Sequence, residues 1–129
     1  LPIFTAANVD FSLAAKEPEP GFVYTRRALG GLGKNDREKW FLDPRLAPGA
    51  QLSDRFFNND RKAFDKGHLV RREEVCFGTT HEEVQRANGD TYHITNCTPQ
   101  VAGFNQSKFD GLWGELENEI EAQGAVERY

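Results

Sequence analysis

A chain of 129 residues, 38% hydrophobic and 28% charged, is long enough to bury one core without staples and reads as a single soluble globular domain, 1–129. The start "LPIFTAANVDF" lacks the basic and apolar regions of a secretory leader, and no apolar run approaches bilayer length. The formal net charge of −4 argues against a polyanion partner, but its distribution argues the other way. Residues 61–72, "RKAFDKGHLVRR", carry Arg61, Lys62, Lys66, Arg71 and Arg72 against Asp65 alone, whereas "ELENEIE" at 115–121 carries four glutamates and no cation. A basic patch beside a carboxylate-rich helix suits a polyanion handled together with a divalent metal.

In chain order, "AAKEPEPGF" and "ALGGLGKND" are rich in Pro and Gly and predict loops around short strands, one of them at Phe22–Thr25. "DPRLAPGAQLSD" is turn chemistry again. A strand is expected through "DKGH", and a short helix from about Glu82 to Ala87, stopped by Asn88-Gly89. "DTYHITNCTPQ" predicts the clearest strand, with Tyr92 to Thr95 as its formers and Pro99 as its stop. "FNQSKFDGLWGELENEIEAQG" predicts the clearest helix, with Leu112, Trp113, Leu116 and Ile120 on one apolar stripe and Gly124 as C-cap. Glu117 falls at the edge of that stripe, and Glu115 and Asn118 point away. Strand, strand, then a helix beginning near Asn105 makes a ββα unit within an α+β fold.

Two features of this pattern carry chemistry. His68 sits between Lys66 and Arg71, where a further positive charge is disfavoured, so a neutral imidazole that accepts a proton near an anionic substrate is expected. Cys76 and Cys97 are too few for a disulfide framework and suit two buried thiols better than one bridge. With His81 and His93 they form a zinc-like pattern, but four residues of extended chain would hold His93 and Cys97 roughly 13 Å apart.

"DKGHLVRR", "TNCTPQ", "FNQ" and "WGELE", in that order, resemble the DNA/RNA non-specific endonucleases, the Serratia-type ββα-metal (His-Me finger) nucleases. The tight similarity runs from about Asp65 to Glu117, within a metal-finger core of about 64–121; "REKWFLDPRL" and "FTAANVD" extend it loosely upstream. The resemblance implies an Mg²⁺-dependent phosphodiester hydrolase, with Mn²⁺ or another divalent ion as substitute, acting on DNA and RNA and leaving 5′-phosphate ends. It implies His68 as general base, Asn105 at the helix start as metal ligand, and Glu117 as the acid that fixes metal-bound water or an arginine. Asn96 is implied as an orienting group. Lys66, Arg71 and Arg72 would hold phosphates without reading bases.

The sequence departs from the family pattern at four points. Lys66 stands where the family usually has arginine, which keeps the charge and loses the bidentate fork. The family's upstream arginine has Arg37 as its candidate, with Arg26 and Arg27 as alternatives. About one extra helical turn separates Asn105 from Trp113. Family domains also continue past this helix, so the chain is expected to lack their C-terminal portion, as a processed or truncated form or as a compact variant; if truncated, it leaves an open sheet edge that favours self-association or a complementary fragment. A second class of function, a nucleic-acid-binding module with weak or lost catalysis, follows from the same departure.

Overall fold

The computed structural model describes residues 4–31, 38–59 and 63–126. Its architecture is α+β, with one two-stranded antiparallel sheet and helices around it. Strand β1 (Asp65–His68) pairs with β2 (Cys97–Gln100) in the register Asp65↔Gln100, Lys66↔Pro99, Gly67↔Thr98 and His68↔Cys97. Pro99, the expected stop, lies inside β2. In a two-stranded sheet each strand has an outer side, where a missing N–H costs no ladder bond. Gly67 is required for a different reason. A Cβ there would lie 2.3 Å from the Gln100 side chain, which is buried beneath it.

The strand expected at Tyr92–Thr95 is instead a turn followed by a 3₁₀ turn at Ile94–Asn96. Its only pairing among the described residues is an isolated parallel bridge to Phe41, with Phe41 N–H donating to Tyr92 at 2.9 Å and Ile94 N–H to Phe41 at 2.7 Å. Tyr92 and Ile94 serve burial rather than a ladder. They join Trp40, Phe57 and Cys97 in the main core cluster, against which Leu52 and Phe64 pack. Strand propensity largely records fit to a half-buried apolar surface, and a core turn satisfies it equally well. Phe22–Thr25 is likewise not a strand. The chain turns from Thr25 to Gly31 on backbone bonds Leu29 to Thr25 (3.0 Å) and Gly31 to Arg26 (3.0 Å).

Helices α1 (Leu13–Lys16), α2 (Asp54–Asn59) and α3 (Arg72–Val75) are short; α4 spans His81–Asp90. Thr80 caps α4 by accepting from Glu83 N–H at 3.2 Å. The helix runs through Asn88-Gly89, where a stop was expected. Asn88 is buried and donates its side-chain amide to the Leu29 carbonyl at 3.1 Å, so it ties α4 to the second cluster of Leu29, Cys76 and Val84. Cys76 and Cys97 are buried thiols in different clusters and form no disulfide with each other. Burial pushes the Cys76 thiol up to about 11, which leaves it protonated and inert.

The single long helix expected near Asn105 is broken. Helix α5 (Ala102–Asn105) ends at an extended Gln106, a 3₁₀ turn follows at Ser107–Phe109, and Asp110 takes the left-handed conformation (φ 55°) before α6 (Leu112–Val126). Of the expected apolar stripe, only Trp113 is turned inward by α6. Leu112, Leu116 and Ile120 are 73%, 47% and 41% exposed. Gly114 is buried instead, because α6 approaches the preceding segment so closely that a Cβ there would lie 2.5 Å from Ser107 N and 3.0 Å from the Asn105 carbonyl. Gly124 lies within α6 against Phe11 and is not its C-cap. Small residues that allow close backbone approach outweigh the stripe that periodicity picks out.

Candidate active site

A cleft of about 510 Å³ opens where these elements meet. Strand β1 contributes Asp65, Lys66 and His68; the turn into α3 contributes Arg71, Arg72 and Glu73. Arg26 and Glu38 line it from upstream, Asn105 to Lys108 from α5 and the 3₁₀ turn, and Gly114, Glu117 and Asn118 from α6. The sequence-predicted residues His68, Asn105, Glu117, Lys66, Arg71 and Arg72 therefore share one cavity.

The His68 ring lies against Trp40 (centroids 4.6 Å apart) and edge-on to Tyr92 (5.2 Å). The Trp113 indole N–H donates to the His68 carbonyl at 3.1 Å and so ties α6 to the end of β1. Nε2 of His68 is buried without a hydrogen-bond partner among the described residues. Burial, and then the nearby Arg26, hold the imidazole down to about 4; Glu73 opposes this, and Arg72 and Arg71 add to it. At neutral pH His68 is uncharged. The sequence credits neighbouring cations alone with this, whereas burial in an aromatic nest is the larger cause.

The arginines of the cleft are held in place by carboxylates. Arg72 Nη2 donates to Glu73 at 2.7 Å, and Arg71 Nε lies 3.3 Å from the same carboxyl. Burial alone would raise Glu73, but Arg72 and Arg71 outweigh it and keep its carboxyl below the ordinary value. Arg71 also donates to Asn118 at 3.0 Å, so Asn118 faces the cleft rather than away from it. Arg72 Nε is a second buried polar atom without a partner. Among the upstream arginines, Arg26 is the one found lining the cleft. Its Nε donates to the Tyr92 hydroxyl at 2.7 Å and its guanidinium pairs with Glu38, which also accepts from the Trp40 indole at 3.2 Å. Arg27 is exposed and does not line it, and Arg37 lies outside the described residues.

Asn105 is the last residue of α5, not the first of a long helix. Its amide donates to Asp65 Oδ2 at 3.3 Å, and the Gln106 amide donates to the same oxygen. A carboxylate only accepts, so both amides turn their NH₂ groups to Asp65 and keep their carbonyl oxygens for other partners. Across the cleft, burial raises Glu117 to about 7, Arg71 partly offsets this, and Glu74 reinforces it. Asn96 is elsewhere. It accepts from Val70 N–H at 2.9 Å and donates to the carbonyls of Val70 (2.9 Å) and Thr91 (3.0 Å), which pins the loop after β1 to the turn before β2.

Among the described residues no three His, Cys, Asp or Glu side chains converge as a metal cage, the Cys76, His81, His93, Cys97 set included. The donors in the cleft suit a hard, mostly hydrated cation that needs few protein oxygens: the Asn105 carbonyl oxygen, with the Glu117 carboxyl on the same cavity. Sequence reading passed over Arg26 as first choice, Glu73, and the amide-orienting Asp65. Asp65 was visible as the lone acid in a basic run; Glu73 and Arg26 left no such mark.

The family model for DNA/RNA non-specific endonucleases matches residues 6–128. A curated relative, the uncharacterized protein y4fB of Sinorhizobium fredii (strain NBRC 101917 / NGR234), is 42% identical over 119 residues, covering 89% of this chain. The chain spans 15% of that relative's length. No solved structure matches. With nearly its whole length matched, the chain belongs to the DNA/RNA non-specific endonuclease family.

Proposed function

We propose that this chain hydrolyses phosphodiester bonds of both DNA and RNA with a divalent cation, Mg²⁺ or Mn²⁺ in its place, and leaves 5′-phosphate ends. The observation that carries the reading is His68, a largely buried, uncharged imidazole that lines a cleft together with Arg26, Lys66, Arg71 and Arg72. Such a group is a base waiting for a proton, set among phosphate-binding cations.

The uncharged His68 imidazole takes a proton from the attacking water as that water adds to phosphorus. Arg71, Arg72 and Lys66 hold the phosphates of the strand, and Arg26, fixed by Glu38 and Tyr92, adds positive charge near the reacting group. Asn105 would hold the cation through its carbonyl oxygen. When bound, the cation supplies Lewis acidity and water acidic enough to protonate the departing 3′ oxygen. Glu117, once ionised, would fix the cation's water, and Arg71 beside it favours that ionised form. Asn96 acts through the backbone, by fixing the loop that carries Val70 next to Arg71. In this reading β1, β2 and α6 are the ββα-metal element of the family, within one domain.

The test is digestion of supercoiled plasmid and of RNA with Mg²⁺, with chelator, and with His68→Ala. Metal-dependent cutting of both substrates that His68→Ala abolishes is expected. Cutting that survives the substitution contradicts the mechanism, and binding without cutting by the unaltered chain makes the cleft a binding module.

A further inference from the structure

The turn between α5 and α6 presents two side chains that the hydrolytic chemistry leaves unused. Lys108 lines the cleft, and its Nζ sits 4.8 Å over the ring of Phe109, which is 54% exposed. An exposed phenylalanine alone would be ordinary surface. Phe109 differs in how it is held. Its backbone N–H donates to Gln106 at 3.0 Å, Asp110 N–H to Ser107 at 2.9 Å and Gly111 N–H to Gln106 at 3.1 Å. Gly111 is so close to the carbonyls of Phe104 and Gln106 that a Cβ would lie 2.7 Å from each. The ring thus stands on a turn braced from both sides. Phe104, the other exposed ring of this segment, already stacks on Trp113 with centroids 6.1 Å apart; Phe109 meets no other aromatic ring among the described residues.

We propose that Phe109 and Lys108 form a stacking subsite for an unpaired nucleobase at the rim of the cleft, and that this subsite favours single-stranded DNA or RNA over duplex. The inference rests on the nucleic-acid reading of the cleft and specifies its substrate class. Lys108 takes a backbone phosphate and Phe109 the flat face of an adjacent base, the combination by which sequence-tolerant single-strand sites bind. A base within a duplex has both faces covered by its neighbours, so only an unpaired one can use the ring.

The test is fluorescence anisotropy in chelator, with short labelled oligothymidylate, oligouridylate and a mixed-sequence duplex, on the unaltered chain, Phe109→Ala and Phe109→Trp. The unaltered chain is expected to prefer both single strands, and Phe109→Ala to reduce that preference at least about five-fold. Phe109→Trp should retain it and add indole fluorescence that is quenched by the single strands and not by the duplex. Equal affinity of the unaltered chain for single strand and duplex, an equal loss on both in Phe109→Ala, or no added quenching in Phe109→Trp overturns the subsite. DNA and RNA arms that differ while both exceed duplex leave the subsite standing and show a sugar preference. Single-strand preference in chelator without cutting in Mg²⁺ refutes the hydrolytic reading and not this one.

Discussion

Two cavities border the turn that joins β1 to α3, and the larger of the two is the less interesting. The second, of about 660 Å³, is lined by Asp43, Val70, Thr95 and Asn96 among others and is mostly apolar. Its polar groups are spent on one another. Asp43 accepts from Arg45 at 2.6 and 2.8 Å and from Thr95 at 2.8 Å, which holds its carboxyl well below the usual range, and Asn96 uses both ends of its amide on backbone. The cleft of 510 Å³ is the reverse. Of the three buried side-chain atoms without a partner among the described residues, His68 Nε2 and Arg72 Nε belong to residues that line it, and Gln100 Oε1 lies beneath Gly67 next to it. A buried polar atom left unpaired costs about 1–3 kcal/mol, so a fold keeps several together where a ligand satisfies them. Unsatisfied chemistry, rather than volume, separates site from scaffold.

Substitutions on the two sides should therefore fail differently. His68→Ala removes the base, and cleavage is expected to fall about 10²–10⁴-fold in a plasmid assay with little change in nucleic-acid affinity. Asn96→Ala strands three backbone groups and should cost on the order of 3 kcal/mol in chemical denaturation, with turnover per folded molecule kept within a few-fold. Should Asn96→Ala abolish turnover in a fully folded protein, the contrast between the cavities breaks. Asn105→Ala is expected to weaken Mg²⁺ binding about tenfold or more by calorimetry while moving the thermal midpoint little.

The pH dependence of stability sharpens the same contrast, because the cleft holds two groups shifted with opposite consequences. His68 is lowered from 6.5 to about 4, so the unfolded chain binds the proton first. Stability is lost as pH falls through that window, by up to about 3 kcal/mol. Glu117 is raised from 4.5 to about 7, so the folded chain binds the proton first, and its contribution is present at low pH and lost as pH rises towards 7. Metal-free denaturation curves of Glu117→Gln should lack this loss above about pH 5, with the His68 limb unchanged. The smallest effect is expected at Leu116→Glu on the exposed stripe, within about 0.5 kcal/mol of the unaltered chain. A loss of several kcal/mol there would restore the stripe to the core.

Residue chemistry was more legible than geometry. "DKGHLVRR" carries β1 and three of the cations in one run, and "FNQ" with "WGELE" carries Asn105 and Glu117, so the contents of the cleft could be read before its shape. The shape depends on approach distances that no periodicity encodes. Gly114 brings α6 onto the Asn105 segment and Asp110 breaks the helix, and Leu112, Leu116 and Ile120 of the expected inward stripe are left exposed. Asn96 shows the limit from the other direction: its amide lies among motif residues in sequence and is consumed by Val70 and Thr91 in space. Trp40 and Tyr92, which form the nest for His68, are far from it in sequence and legible only as core formers.

The measurement closest to the centre of this picture is an NMR titration of the His68 ring in metal-free protein, assigned by comparison with His68→Ala. Its signals should stay in the neutral form from pH 8 down to about 4, the value at which burial and Arg26 hold it. A ring that gains its proton near 6.5 would be solvated or paired, and neither the waiting base nor the closed aromatic nest would survive that result.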